Sequence, residues 1–161
     1  MISTDFEPVF DKTSKILILG TFPSVKSRES HFYYGHPQNR FWKVLASLFQ
    51  CEVPISIEEK KKMLLKHKVA LWDVVESCDI VGSSDSSIRN VVPADLERIF
   101  SGCDIRQVFA NGNTAKKLYE RYHKEKYGRA ILGLPSTSPA NAAYNIERLC
   151  EYWREILEYL S

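Results

Sequence analysis

The sequence predicts an α/β fold built on a parallel sheet, with helices covering both of its faces. Two observations indicate this: strand-like apolar runs alternate with helical patterns along the chain, and the first run is apolar almost throughout. That run, KILILG at residues 15–20, ends in glycine and is typical of a strand buried on both faces. A chain of 161 residues, 44% of them hydrophobic, suits a single domain, which we expect to span residues 1–161.

The remaining elements follow from apolar spacing and from local start signals. We expect three more strands, at residues 69–75, 107–110 and 129–133. Ser56 and Glu59 match a capping box, which predicts a helix that runs through Leu65. The other helices are expected at residues 41–49, 93–100 and 114–122, and from about residue 141 to the C-terminus. The polar stretch GSSDSS at residues 82–87 is typical of a loop.

Composition disfavours several classes of protein. The net charge of +2 is too small to indicate a nucleic-acid or membrane partner by itself. The longest apolar runs are far too short to span a bilayer, and the first residues do not resemble a signal peptide. We therefore expect a cytoplasmic protein with no membrane partner. The four cysteines are widely scattered without a C-x-x-C pair, which disfavours a zinc or iron–sulfur site.

One connection is too long for a simple scaffold. About eighteen residues separate the strand that ends at Gly20 from a helix that begins near Asn39, whereas strand-to-helix loops usually take roughly two to six. The connection contains SHFYYGHPQNRFW at residues 30–42, whose aromatic content favours an ordered, functional loop over disorder. Ligands of open parallel sheets bind beyond the carboxyl ends of the strands. We expect a site there, built from this loop, residues 21–24, Asp73, residues 111–113 and residues 134–139.

Two separated stretches resemble motifs of the uracil-DNA glycosylase superfamily. GTFPS at residues 20–24, followed by HPQNRFW at residues 36–42, resembles the first motif region. LPSTSPAN at residues 134–141 resembles the second motif, the loop that presses into DNA. Within the superfamily the sequence looks most similar to the hypoxanthine-DNA (deoxyinosine) glycosylases. The resemblance implies a three-layer α/β/α sandwich with a central four-stranded parallel sheet. It also implies hydrolysis of the bond between a deaminated base and deoxyribose, with no metal or other cofactor.

The sequence departs from the uracil-specific branches of this superfamily. Mismatch-specific uracil enzymes carry a catalytic asparagine within Gly-x-Asn-Pro-Gly, where this chain has Phe22. The classical uracil enzymes use an acid in the first motif and a histidine in the second, and this chain has neither. The resemblance to the hypoxanthine branch instead places the essential asparagine at Asn39.

The chemistry available to Asn39 is that of an amide. Its side chain has no useful protonation equilibrium, so Asn39 cannot act as a general base. Its carbonyl can orient an attacking water, and its NH₂ group can donate a hydrogen bond to a departing purine. An asparagine at the start of a helix is also a common cap, and the two roles are compatible.

The resemblance also assigns residues to an extruded base. Tyr34 corresponds to the aromatic side chain that family members stack on the flipped base. Phe22 would either form a wall of the same pocket or pack in the core, and the adjacent Gly20 and Thr21 are expected to line the pocket. Asn113, close after a strand, would hydrogen-bond the edge of the base or cap the following helix.

DNA contacts are expected from the second motif and from nearby cations. Hydroxyl and backbone N–H groups of the motif would approach the phosphates, with Pro139 or Ala140 facing the gap left by the base. The residues concerned are Ser136, Thr137, Ser138 and Pro139. Taken by itself, this segment is typical of a simple turn before a helix. Lys26 and Arg40 are candidates for phosphate contacts.

Two further polar residues receive structural interpretations. We expect Asp73, after a strand, to be a buried and hydrogen-bonded residue that holds a loop rather than a general base. We expect His36 to order its loop through its ring nitrogens.

The sequence therefore predicts a monomeric, monofunctional glycosylase that removes hypoxanthine from DNA containing deaminated bases. A uracil or broad deaminated-base glycosylase is an enzyme alternative. A non-catalytic module that binds damaged DNA is another, and it would keep Tyr34 and the basic residues without needing Asn39. A nucleotide-binding α/β module lacks the expected glycine-rich loop, since no G-x-G-x-x-G or P-loop motif occurs.

Overall fold

A four-stranded parallel sheet lies at the centre of the computed structural model, which describes all of residues 1–161. In spatial order its strands are β3 (Val69–Asp73), β2 (Ile16–Gly20), β6 (Gln107–Asn111) and β7 (Ile131–Leu134). All three neighbouring pairs run parallel. The residues of β2 and β3 are all buried, as their apolar sequences predict.

Helices flank this sheet and complete the predicted α/β/α architecture. The longer helices are α2 (Phe41–Phe49), α3 (Ile57–Lys66), α5 (Asn113–Tyr122) and α7 (Ile146–Trp153). The shorter ones are α1 (Val25–Ser30), α4 (Glu97–Phe100) and α6 (Lys124–Tyr127). The predicted capping box is present, because Ser56 accepts from the Glu59 N–H group and the Glu59 carboxylate accepts from the Ser56 N–H group. No helix has the length and apolar character needed to cross a membrane.

A second, smaller sheet was not predicted. It is antiparallel and consists of β1 (Ile2–Ser3), β4 (Val75–Asp79) and β5 (Arg89–Pro93). The prediction of one strand over residues 69–75 was wrong: β3 ends at Asp73, and Val75 begins β4. The predicted helix over residues 93–100 begins only at Glu97, because Pro93 is paired with Val75 in this sheet.

The C-terminal helix is shorter than its apolar pattern predicts. It begins at Ile146, after Asn145 has capped it by accepting a hydrogen bond from the Arg148 N–H group. Beyond Trp153 the chain continues as a 3₁₀ helix (Arg154–Tyr159). The predicted face is nonetheless buried at Leu149, Cys150, Trp153 and Ile156.

The long connection between β2 and α2 is ordered, as predicted. It contains α1, which the apolar pattern did not reveal because its sequence, VKSRES, has almost no apolar face. Phe32 and Tyr33 are buried in the core. The Tyr33 hydroxyl donates to the Glu7 carbonyl (2.8 Å), and the Trp42 indole donates to the Tyr33 carbonyl (3.1 Å). These contacts hold the loop across the carboxyl end of the sheet.

Candidate active site

A cavity of about 140 Å³ lies at the carboxyl edge of the parallel sheet. All the segments expected to meet there contribute to it: residues 20–24, the long loop, Asp73, the end of β6 and the second motif. The loop at residues 82–87 contributes as well, through Ser83 and Asp85. That loop reaches the cavity because the Ser83 hydroxyl accepts from the Val25 N–H group (2.9 Å) and the Gly82 carbonyl accepts from Arg28 (2.8 Å).

Asn39 lines the cavity with its amide held in one orientation. Its Oδ1 accepts hydrogen bonds from the Phe41 N–H group (2.9 Å) and from the Thr137 hydroxyl (2.9 Å). Because a backbone N–H group can only donate, the atom facing Phe41 must be the carbonyl oxygen. The interpretation of Asn39 as the helix cap is wrong, because Arg40 is the N-cap residue of α2 and no side chain caps the helix; Asn39 lies one residue earlier and accepts from the first residue of the helix. Both acceptor sites of Oδ1 are occupied, which leaves the NH₂ group as the free end of the side chain.

Thr137 and Asn111 hold Asn39 from behind. In the Asn111 side chain, Nδ2 donates to the Thr137 hydroxyl (3.0 Å) and Oδ1 accepts from the Thr137 backbone N–H group (3.0 Å). Thr137 is completely buried, so its predicted contact with the DNA backbone is wrong. The hydroxyl instead bridges two asparagines: it accepts from Asn111, at the end of β6, and donates to Asn39.

Tyr34 turns into the cavity from an uncommon backbone conformation. Its φ of 53° lies in the left-handed region, where a non-glycine residue is rarely found without a compensating reason. The turn separates the side chains of Tyr33, which packs in the core, and Tyr34, which lines the cavity. The Tyr34 ring stacks on Phe41, with ring centroids 4.1 Å apart and an interplanar angle of 24°. Its hydroxyl is buried and has no hydrogen-bond partner in the protein.

Gly20 forms the floor of the cavity where two side chains approach the backbone. A Cβ atom on Gly20 would lie 2.5 Å from Asp73 Oδ1 and 2.7 Å from Tyr34 Oη. Any larger residue would push these groups apart. β2 therefore ends in glycine because the Asp73 carboxyl group and the Tyr34 hydroxyl leave no room for a side chain at this position.

Asp73 is buried, as predicted, but it is not held by hydrogen bonds. Its side chain is 4% exposed, and Oδ2 has no hydrogen-bond partner. The interpretation of Asp73 as a hydrogen-bonded support for a loop is therefore wrong at this oxygen. Burial in the cavity is the main reason that the pKa of Asp73 is raised, to about 7, and the negative charge of Asp85 adds to the effect.

The other residues of the first motif lie where the sequence suggests. Phe22 and Thr21 are buried and line the cavity, so Phe22 is both part of the core and part of the cavity wall. His36 orders its loop, since its Nδ1 accepts from the Gln38 N–H group (3.0 Å).

Arg40 has a different role from the one predicted. Its guanidinium group donates to backbone carbonyls of the second-motif segment, namely those of Thr137 (3.3 Å), Ser138 (2.8 Å), Asn141 (3.1 Å) and Tyr144. These bonds fasten the segment to the start of α2 and use the donors that a phosphate would need. Arg40 therefore holds the second motif in place rather than reaching for DNA.

The remaining candidates are the two serines of the second motif, Pro139 and Lys26. Ser136 and Ser138 line both the cavity and a neighbouring groove, and each hydroxyl oxygen accepts from an N–H group two residues later. Pro139 is half-buried next to them. Lys26 is exposed on α1 and forms an ion pair with Glu29 (3.5 Å).

Asn113 lies in the neighbouring groove rather than in the cavity. The helix that follows begins after Gly112, whose φ of 96° suits glycine, and no side chain caps it. The interpretation of Asn113 as a helix cap is therefore wrong, and its contact with the edge of the base stays a prediction. The asparagine that reaches the cavity is Asn111, the last residue of β6, and its place at the carboxyl end of a strand was the signal that could have identified it.

Comparison with known proteins identifies the family. The family model of the uracil DNA glycosylase superfamily matches residues 7–161. The chain belongs to the uracil DNA glycosylase superfamily. Hypoxanthine DNA glycosylase from Methanosarcina acetivorans is 32% identical to it over 165 residues, covering 99% of this chain and 100% of that protein. Hypoxanthine DNA glycosylase from Methanosarcina barkeri is 37% identical over 86 residues, about half of each chain (53% and 54%).

A solved structure agrees with this family. It is the solution NMR structure of a protein from Methanosarcina acetivorans that is described as a putative uracil DNA glycosylase. It superposes on this member of the superfamily with a TM-score of 0.83, at 31% sequence identity, and covers 99% of both chains. Both the fold and the element order of the superfamily are therefore present here.

Proposed function

We propose that this protein is a DNA glycosylase that removes hypoxanthine from DNA by hydrolysing the N-glycosidic bond. Its membership of the superfamily and its full-length similarity to a hypoxanthine DNA glycosylase support this function. The lack of the uracil-type asparagine at Phe22 supports hypoxanthine over uracil as the preferred base. The protein acts on DNA that contains deaminated bases, as a single-domain cytoplasmic monomer that needs no cofactor.

The observation that carries the proposal is the free NH₂ group of Asn39 in the cavity. When the N-glycosidic bond breaks, the sugar becomes cationic and the base acquires negative charge. A fixed N–H donor stabilises such developing charge without having to reorient during the reaction. Since Asn39 Oδ1 is already bonded to Phe41 and Thr137, donation to the leaving base is favoured over orientation of the attacking water through the carbonyl.

The cavity supplies the other parts that the reaction needs. A base inside the duplex must be extruded before it can be cleaved, and Tyr34 and Phe22 offer aromatic surfaces to receive it. Ser136 and Ser138 keep their hydroxyl hydrogens for the DNA backbone, because their oxygens serve as acceptors within the loop. Lys26 is exposed on α1, whose Ser27 lines the cavity, and we expect it to contact a phosphate.

Single-turnover excision on labelled oligonucleotides tests the proposed function. Duplexes containing one deoxyinosine or one deoxyuridine are incubated with excess protein, and abasic sites are revealed by alkali. We expect rapid cleavage at deoxyinosine, slow or no cleavage at deoxyuridine, and no strand break without alkali. Cleavage confined to deoxyuridine would assign the protein to a uracil-specific branch. Binding to the inosine duplex without any excision would identify a damage-binding module instead.

A further inference from the structure

The carboxyl group of Asp73 is the buried polar group that the role of Asn39 leaves unexplained. It sits at the end of β3, lines the cavity, and is 4% exposed. Its Oδ2 has no partner in the protein, although almost all buried carboxyl oxygens are hydrogen-bonded. An unpaired polar atom of this kind lowers the stability of the fold, which makes a function in the cavity the simplest reason for its presence.

Burial and the negative charge of Asp85 are the influences on the Asp73 carboxyl group, and no cation offsets them. Arg28, on α1, donates instead to the Gly82 carbonyl and lies over the Phe22 ring. The titratable groups that face it are Tyr33 and Tyr34 from the long loop and Asp85 from the 82–87 loop. Burial raises the pKa of both tyrosines far above the neutral range, so they remain uncharged. The raised pKa of Asp73, about 7, therefore leaves a large fraction of this carboxyl group protonated at neutral pH.

We propose that Asp73 is a second catalytic residue, which in its neutral form donates its proton to a ring nitrogen of the extruded purine. The inference rests on the proposed function. As the N9–C1′ bond breaks, its electron pair moves to the base, the Asp73 proton binds the ring nitrogen, and the base leaves uncharged. Water adds its oxygen to C1′ and gives up one proton, which restores the Asp73 carboxyl. In the net reaction one water molecule is consumed: its hydroxyl group is added to C1′ of the sugar, and the base gains one proton.

This assignment accounts for a preference for purines. A purine bonded through N9 has unprotonated ring nitrogens that can take a proton during cleavage. Uracil bonded through N1 has none, because its other ring nitrogen already carries hydrogen. A neutral carboxyl beside the base is also well suited to this transfer, since a general acid works best when its pKa is close to the working pH.

The test is the pH dependence of single-turnover deoxyinosine excision by wild type and by Asp73→Asn. We expect the wild-type rate to fall about tenfold per pH unit above pH ~7, as the carboxyl loses its proton. Asp73→Asn should be slower by on the order of 10²-fold at pH 6 and should lack this falling limb. A variant with the wild-type rate, or with the same falling limb, would overturn the inference and leave the proposed function intact. Wild type that excises neither base would overturn both.

Asp85→Asn is the matched control, because it leaves the Asp73 side chain in place. Removing the neighbouring negative charge lowers the pKa of Asp73, so the falling limb should move to lower pH and remain present. A limb that does not move would show that it belongs to another group. Where the wild type cleaves the deoxyuridine duplex slowly, that rate supplies a second control: an equally large loss on uracil in Asp73→Asn would contradict proton transfer to a purine ring nitrogen.

Discussion

Asn39 and Asp73 line the same cavity, but the protein surrounds their side chains in different ways. Asn39 is held at Oδ1 by two hydrogen bonds and supported by Thr137 and Asn111, whereas Asp73 Oδ2 and the nearby Tyr34 hydroxyl have no partners. A dipole contributes to catalysis only if its direction is fixed before the reaction begins. A proton donor must instead keep its proton available, and hydrogen bonds to its charged form would lower its pKa. The difference indicates that Asn39 acts as an oriented hydrogen-bond donor and Asp73 as a proton donor.

The largest effect is expected when the oriented amide is removed. Asn39→Ala should lower the single-turnover excision rate by on the order of 10²–10³-fold, as for the loss of one preorganised donor. Asn39→Asp is the control, because a carboxylate still accepts from Phe41 and Thr137 but cannot donate into the cavity. Equal losses in the two variants would assign the effect to the NH₂ group. Near-wild-type activity in Asn39→Asp would contradict that assignment.

A smaller effect is expected when the support behind Asn39 is removed. Thr137→Val deletes the hydroxyl that joins Asn39 to Asn111 and should slow excision by about tenfold, equivalent to about 1.4 kcal/mol. It should also lower the free energy of unfolding by about 1–3 kcal/mol, because buried amide groups lose their partner. Thr137→Ser keeps the hydroxyl and should restore the rate. DNA affinity, measured by fluorescence anisotropy, should be the same in both variants, and a parallel loss of affinity would argue against a positioning role.

Replacing Asp73, whose buried Oδ2 has no hydrogen-bond partner, should increase the stability of the protein. The pKa of Asp73 is raised in the folded protein from 3.8 to about 7, so this group lowers stability progressively as pH rises through that window. Asp73→Asn removes the effect and should raise the free energy of unfolding by roughly 2–4 kcal/mol above pH 7, since one pKa unit corresponds to about 1.4 kcal/mol and the buried amide offsets part of the gain. The gain should shrink toward pH 4. Urea unfolding of both proteins at pH 5 and pH 8 measures the difference, and an equal gain at both values would contradict the raised pKa.

The smallest effects are expected for the two cations proposed to contact DNA. Lys26 is exposed, whereas the guanidinium group of Arg40 is hydrogen-bonded to carbonyls of the second motif. Lys26→Ala should reduce the salt dependence of DNA binding by a slope of about 1, the value for one lost phosphate contact. Arg40→Ala should leave that slope unchanged but lower the free energy of unfolding, since its donors are bonded to carbonyls of the second motif. Binding titrations over a range of salt concentrations separate the two. A reduced salt dependence of DNA binding in Arg40→Ala would instead support the predicted phosphate contact of Arg40.

Local features of the structure could be predicted from the sequence because they depend on residues a few positions apart. The apolar run of β2 and the capping box at Ser56 are of this kind. The unusual length of the loop before α2 and the position of Asn39 ahead of the helix were readable for the same reason. Parallel strands also predict where a site lies, since all their carboxyl ends meet at one edge.

Long-range contacts decided what each side chain at that edge can do. The orientation of the Asn39 amide depends on Thr137, 98 residues later in the chain. Arg40 became a structural residue because the carbonyls of the second motif came within its reach, and Asp73 became unpartnered because burial removed it from water. Hydrogen-bond partners and desolvation are properties of the packed chain, and no spacing along the sequence records them. The sequence by itself determined the residues and the edge at which they gather; only the tertiary structure decided which groups are held and which are left free.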